Sequence, residues 1–223
     1  DRFTDLPEIR QTTVSPKLFY DFNNSTTLMF GVSSFFEDRI GGDIYAIVNA
    51  PDSVHTYVEK SRSSRVTSQL KFETRLNSGS TLTFKNSVSQ FQRNITSATA
   101  IFSGEQISTN TELSYLLRAN QHVLVSGLNF VTDVFNENKV SARIPFDYRH
   151  ATAGIFFQDD WKLTKKVILQ AGARTDYHNL HGVFVLPRLS ALYKINDKLY
   201  ARMAGGFGYK APTIFTDKSE KEG

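Results

Sequence analysis

Apolar and polar residues alternate along most of this chain, and in four places the alternation holds its phase without a break. Over residues 66–76, Val66, Ser68, Leu70, Phe72, Thr74 and Leu76 fall on one side, and Thr67, Gln69, Lys71, Glu73 and Arg75 on the other. Residues 106–117 set Ile107, Thr109, Thr111, Leu113, Tyr115 and Leu117 against Gln106, Ser108, Asn110, Glu112 and Ser114. Residues 167–178 and 199–208 repeat the pattern, with Leu169, Ala171 and Ala173 opposite Gln170, Gly172 and Arg174, and Ala201 and Met203 opposite Arg202. Successive strand side chains point to opposite faces, so each run predicts a strand with one apolar and one wet wall. Residues 27–38 place Leu28, Phe30, Val32, Ser34 and Phe36 together, whereas His122 to Val134 is apolar on both sides and leaves its register open. Pro16 and Pro187 lie inside strand-like runs. Proline lacks the ladder donor, so each predicts a bulge or a strand end. No stretch shows helical periodicity.

The runs are punctuated unevenly. Tight polar turns fall at Asn23-Asn24-Ser25-Thr26, Asn77-Ser78-Gly79-Ser80, Arg118-Ala119-Asn120-Gln121, Thr164-Lys165-Lys166 and Asn196-Asp197-Lys198. Longer irregular stretches lie near residues 38–61, 95–105, 135–149 and 178–183. Soluble strands usually run ~5–6 residues, whereas a tilted strand crossing a bilayer needs ~9–11. Long strands with short turns at one end and long loops at the other are the pattern of an outer-membrane barrel. The fold class is therefore all-β: an antiparallel up-and-down meander of about ten long strands forming part of a large transmembrane barrel. A soluble sandwich fits less well, because the strands are too long and one face is hydrated in mid-strand.

Mean hydropathy is −0.31, and no run approaches the eighteen apolar residues of a transmembrane helix. A barrel strand shows lipid only every second residue, so low hydropathy leaves a membrane location open. Many of the 18 Phe, 9 Tyr and 1 Trp lie near predicted strand ends, as rings at headgroup level do. The net charge of +4 is dispersed, with no like-charged run, which argues against a nucleic-acid partner. The absence of cysteine excludes disulfides and thiolate chemistry. The mixed charges of Asp217 to Gly223 fit a solvated loop.

Two hairpins resemble a known family. Gly154-Ile-Phe-Phe-Gln-Asp-Asp-Trp-Lys-Leu-Thr164, followed by Val167-Ile-Leu-Gln-Ala-Gly-Ala-Arg-Thr-Asp-Tyr177, is similar to paired strands of TonB-dependent outer-membrane receptors. So is Leu186-Pro-Arg-Leu-Ser-Ala-Leu-Tyr-Lys194 with Leu199-Tyr-Ala-Arg-Met-Ala-Gly-Gly-Phe-Gly-Tyr-Lys-Ala-Pro-Thr213. Leu186 stands where the family usually has Ser, and Lys210 where Arg is commoner. Phe36-Glu-Asp-Arg-Ile-Gly-Gly-Asp43 resembles the entry to a long external loop. The resemblance implies a transporter rather than an enzyme, set in the cell outer membrane and without a cofactor. It implies outer-membrane lipid, a nutrient ligand (ferric siderophore, haem, cobalamin or glycan) and TonB as partners, with a surface lipoprotein as a further candidate. It also implies that residues 1–223 are an internal barrel portion, lacking the plug domain and the C-terminal strands. The alternative is a passive porin-like or structural barrel, and a third reading is a soluble β-sheet binding module.

Candidate ligand contacts follow from the polar residues at loops and on the wet wall. His178 and His181, with Asp176 nearby, lie at a predicted external loop, and imidazoles can ligate iron or haem. Histidine pairs in loops are more often plain polar residues, and no metal site is assigned. Asp147, Arg149 and His150 form a second polar group beside Tyr148, and Arg174 and Arg202 are expected on the lumenal wall with Lys71, Glu73, Arg75, Asp160 and Lys162. Asp159 and Asp160 alternate across a strand, so they cannot form an acid/base pair. Gly205 to Gly208 has no helix behind it to bind phosphate. Asn24-Ser-Thr and Asn94-Ile-Thr match a glycosylation acceptor but carry no weight in a bacterial outer membrane.

Overall fold

In a computed structural model that describes residues 3–4, 6–98, 101–138 and 146–211, the alternating runs form one antiparallel sheet. Its strands are β1 (Glu8–Val14), β2 (Lys17–Asn23), β3 (Thr26–Gly42), β4 (Val58–Asn77), β5 (Ser80–Thr96), β6 (Ile101–Ala119), β7 (His122–Glu137), β8 (Tyr148–Trp161), β9 (Val167–His178), β10 (Gly182–Lys194) and β11 (Tyr200–Gly206). Each pairs with the next in chain order, except that β1 and β2 both lie along β3. They are two halves of one edge strand, split at Ser15-Pro16, where Pro16 still accepts from Val32 N. Pro16 thus marks the break expected of it. Pro187 does not: it sits in unbroken register opposite Ala173. Its carbonyl accepts from Phe207 N, so the donor it lacks would point toward β11 where that strand ends. The missing bond falls at the neighbour's terminus and costs no interior ladder.

The tight turns share one device. Asn23, Asn77 and Asn196 each accept, through Oδ1, from the backbone N–H two residues on, and Thr164 Oγ1 accepts from Lys166 N and Val167 N. Such side-chain turns replace the ladder bonds a reversing backbone gives up. Asn120 takes a φ of 52°, which Asn tolerates better than most residues. At the opposite end the strands run further than the sequence suggests. β3 continues to Gly42 and β4 starts at Val58, so the 38–61 loop shrinks to 43–57; β6 takes residues 101–105 from the next loop, and the last contracts to 179–181. The polar residues of these extensions hide the alternation, because both faces are wet there. Residues 99–100 and 139–145 of the expected loops, and the charged tail with Pro212 and Thr213, lie outside the described residues. The one unexpected element is α1 (Ile44–Asn49), capped by Asp43, whose carboxylate accepts from Tyr45 N and Ala46 N.

The two faces differ as the alternation requires. One lateral row of the apolar face runs Leu28, Phe72, Phe84, Leu113, Leu128, Ile155, Thr175, Val185 across eight strands. The register of β7 is settled: Leu124, Leu128, Phe130 and Val134 share that face, and Val123, Val125, Asn129, Val131 and Asp133 the other. The burial is inverted relative to a soluble domain. Among the described residues the only buried apolar side chains are Ala46 and Phe135, whereas Glu37, Ser61, Ser63, Asn129, Asp176, His178 and Ser190 are buried on the polar face. Val185, Leu189 and Met203 stand exposed on the apolar face. This arrangement excludes the compact soluble module, since an uncovered apolar wall of this extent must meet another apolar medium.

Candidate ligand-binding face

The polar face is built in two zones. In its middle and lower part, toward the tight turns, charged groups are paired off. Lys85 Nζ donates to Glu112 Oε1 at 3.0 Å across β5 and β6, and Lys71 lies 2.8 Å from Glu73 within β4. Arg174 Nε reaches Asp176 Oδ1 at 2.7 Å, and its Nη2 donates to Asn129 Oδ1, which bridges to Asn110. Tyr209 Oη donates to the second Asp176 oxygen at 3.1 Å. Gly154 makes this possible, because a Cβ there would occupy the space of the Arg174–Asp176 pair. Asp160 accepts from Gln158 and Gln170 on this face, while Asp159 points to the other and meets His122 Nδ1 at 2.7 Å. The alternation expected for these two carboxylates is what the strand delivers.

Toward the long-loop end the face becomes aromatic. Rings follow one another from Phe102 to Phe135 (6.3 Å between centroids), Tyr148 (5.6 Å), His150 (4.8 Å), His178 (5.1 Å) and His181 (4.7 Å). Phe91, Phe102, Phe135, Phe146 and Tyr148 line a hollow of about 550 Å³, together with Arg93, Gln106 and Asp133. The hollow exists because Phe135 lies over Gly104, where a Cβ would come within 2.5 Å of the ring. Gln106 Nε2 and Tyr148 Oη both donate to Asp133 on its floor.

Three guanidiniums stand beside this hollow on the same face. Arg65 lies 4.7 Å over the Phe91 ring, Arg39 is held by Glu37 at 2.6 Å, and Arg93 follows Phe91 by two residues on β5. The Arg93 Nε and the Ser61 Oγ are buried without a hydrogen-bond partner among the described residues. A buried donor left unpaired costs about 1–3 kcal/mol, so these atoms mark where an acceptor is wanted.

The candidates proposed from sequence divide accordingly. His150, His178 and His181 come together in the ring series, and Arg174 and Asp176 come together in one ion pair. His178 Nδ1 accepts from Leu180 N at 3.1 Å, so that nitrogen carries no proton. Among the described residues no three His, Asp or Glu side chains are placed to hold a metal ion. Asp147 is engaged with Glu137 N. Arg149 falls on the apolar-face side of β8, opposite in parity to His150, and Arg202 pairs laterally with Leu192 near the tight turns, away from the rest. Arg39, Arg65, Arg93 and the Phe91 to Tyr148 hollow escape a sequence reading. The spacing Arg65, Phe91, Gln106, Phe135, Tyr148 becomes one row only when the register is known.

Above β3 and β4 the 43–57 loop is stapled. The second Asp43 oxygen takes His55 Nδ1 at 2.7 Å, and Asp52 accepts from Val54 N and His55 N. The hydrogen bond from His55, followed by those from Tyr45 N and Ala46 N, holds the Asp43 carboxyl below its ordinary range against the effect of burial. The Asp52 carboxyl is lowered by its bonds from His55 N and Val54 N.

Comparison with known proteins agrees with this architecture. A family model for the β-barrel of TonB-dependent receptors matches residues 4–220. A search of curated protein sequences gives no match. Among solved structures, the siderophore receptor PirA from Pseudomonas aeruginosa superposes with a TM-score of 0.73 at 15% identity, covering 93% of this chain and 35% of that one. The ferric enterobactin receptor of Pseudomonas aeruginosa gives 0.74 at 12% identity, covering 93% and 34%, and PirA from Acinetobacter baumannii 0.70 at 19%, covering 92% and 34%. The chain thus spans about a third of the length of these receptors, and the likeness is one of fold.

Proposed function

The chain belongs to the family of TonB-dependent receptor β-barrels, and from that premise we propose that the whole protein is an active-transport receptor that captures a negatively charged iron chelate. Members of this family are outer-membrane transporters rather than enzymes, so the apolar face meets lipid and the polar face lines the lumen. The observation that carries the reading is the placement of Arg39, Arg65 and Arg93 beside the aromatic hollow at the long-loop end. Guanidiniums bind carboxylate and catecholate oxygens through paired N–H groups, and flat rings give an aromatic chelate apolar contact. Import against a gradient through a plugged lumen then draws its energy through TonB, as the family resemblance implies.

The test uses the full-length receptor. Calorimetric titration with ferric catecholate and ferric citrate complexes should show binding, and Arg65→Ala or Arg93→Ala should each weaken it at least about tenfold, the loss of one charge-assisted hydrogen bond. Uptake by cells should stop when TonB is deleted. Binding unchanged in both variants overturns the ligand class, and uptake that persists without TonB points to a passive barrel.

A further inference from the structure

At the long-loop rim, the face that carries the lipid-facing rows changes character. On β4, Val66 and Leu70 share their parity with Lys60 and Arg62; on β3, Phe36 shares it with Asp38; and on β1, Val14 shares it with Arg10 and Glu8. Of these, Glu8, Arg10, Asp38, Lys60 and Arg62 line a hollow of about 720 Å³, which Arg39, Ser61 and Ile47 of α1 also border. It shares none of the rings that line the aromatic hollow.

Among the described residues the charges here are held in exposed pairs or, at Lys60, in none. Across the strands, Arg10, Asp38, Arg62 and Asn94 form one lateral row, with a single carboxylate between two guanidiniums. Arg62 Nε takes Asp38 at 2.7 Å, and Arg10 turns to Glu8 at 2.9 Å. Arg62 and Asp38 are 78% and 62% exposed, and pairs this open hold weakly enough to exchange partners. In the next row Lys60 sits between Ile40 and Thr96, with no acid opposite. Its ammonium makes no ion pair or hydrogen bond among the described residues. The apolar α1 residues Ile44 and Val48 are exposed above the same rim, as headgroup-level side chains are.

We propose that this rim hollow binds the phosphate of an outer-leaflet glycolipid, with Lys60 and Arg62 as its principal ligands and Arg10 beside them. A cationic pair directly beyond an apolar band meets lipid at the height of its headgroup phosphates, whereas a soluble nutrient enters from the lumenal side. Phosphate accepts from ammonium and guanidinium N–H groups at once, and the acyl chains continue onto Val66 and Leu70 below.

The experiment takes the full-length receptor in detergent and measures binding of lipid A with two phosphates by native mass spectrometry. The wild type should retain the lipid, and Lys60→Gln with Arg62→Gln should weaken it roughly thirtyfold, as expected for removing two charges at an anionic lipid surface. Lys198→Gln, the same charge change at the opposite rim, should leave it unaltered, and chelate binding should be intact in all variants, which separates this site from the lumenal one. Equal retention by the double variant, equal binding of dephosphorylated lipid A, or equal competition by inorganic phosphate would each overturn the assignment.

Discussion

Leu128 offers the sharpest test of which face meets lipid. It lies six residues above His122 on β7, is 56% exposed and shares the parity of the apolar face. At ~3.3 Å per residue and a strand tilt of ~40°, it stands roughly 15 Å above the His122–Trp161 ring pair in a band ~25 Å tall, close to the bilayer midplane. Leu128→Arg should therefore cost ~2–4 kcal/mol. Leu169 shares the same face but is the lateral partner of Trp161 itself, at girdle height, so Leu169→Arg should cost only ~0–1 kcal/mol. Gln170→Arg turns to the polar face beside Asp160, whose oxygen Gln170 already contacts at 2.8 Å, and should be close to neutral. The assay is reversible unfolding of the full-length receptor from phospholipid vesicles by guanidinium, with the three variants compared at constant lipid. Equal destabilisation by Leu128→Arg and Gln170→Arg would refute the assignment of faces, and a larger cost at Leu169 than at Leu128 would refute the depth argument.

Two further outcomes are expected. Gly104→Val should push Phe135 from its seat, destabilise the barrel by ~1–3 kcal/mol as overpacking does, and close the hollow, so that unfolding midpoint and chelate affinity both fall; unchanged affinity would remove the hollow from the site. The 43–57 loop should resist proteolysis at neutral pH and lose that resistance as pH drops below the ordinary carboxylate range. The Asp43 and Asp52 carboxyls titrate lower folded than unfolded, so their contribution is present above the unfolded value and lost as pH falls through the folded one. Asp43→Ala should be susceptible already at neutral pH.

The middle of each strand was legible because lipid and water impose opposite demands on neighbouring residues, as at Val66 to Leu76 and Ile107 to Leu117. The strand ends were not, and the cause is the same physics: above the apolar band both faces are wet, so Asp38, Arg39, Lys60, Arg62 and Glu105 read as loop although they are paired in the ladder. β7 failed for another reason, since Val123, Val125 and Val131 are apolar on the lumenal face. The helix α1 is too short for a periodicity, and its one signal is the capping Asp43. Of the site, His150, His178 and His181 were visible as chemistry, but their assembly with Tyr148 and Phe135 needed the register. Arg149 and Arg202 drew attention by residue type, and only strand parity and row separate them from the rest.

The polar face locates its own binding region through what is left unpaired. A carboxylate such as Asp176, 2% exposed and bonded by both Arg174 and Tyr209, has little capacity left for a ligand; its replacement would leave the half-buried Arg174 guanidinium without its carboxylate. Toward the long loops the pairing is looser: Glu37 still holds Arg39, but among the described residues Arg93 Nε and Ser61 Oγ are buried without a hydrogen-bond partner, and Arg65 lies over the face of Phe91. On the proposed function, a wall that pairs more of its charges below and leaves donors open above would hold the chelate where it arrives without trapping it along the path it must leave by.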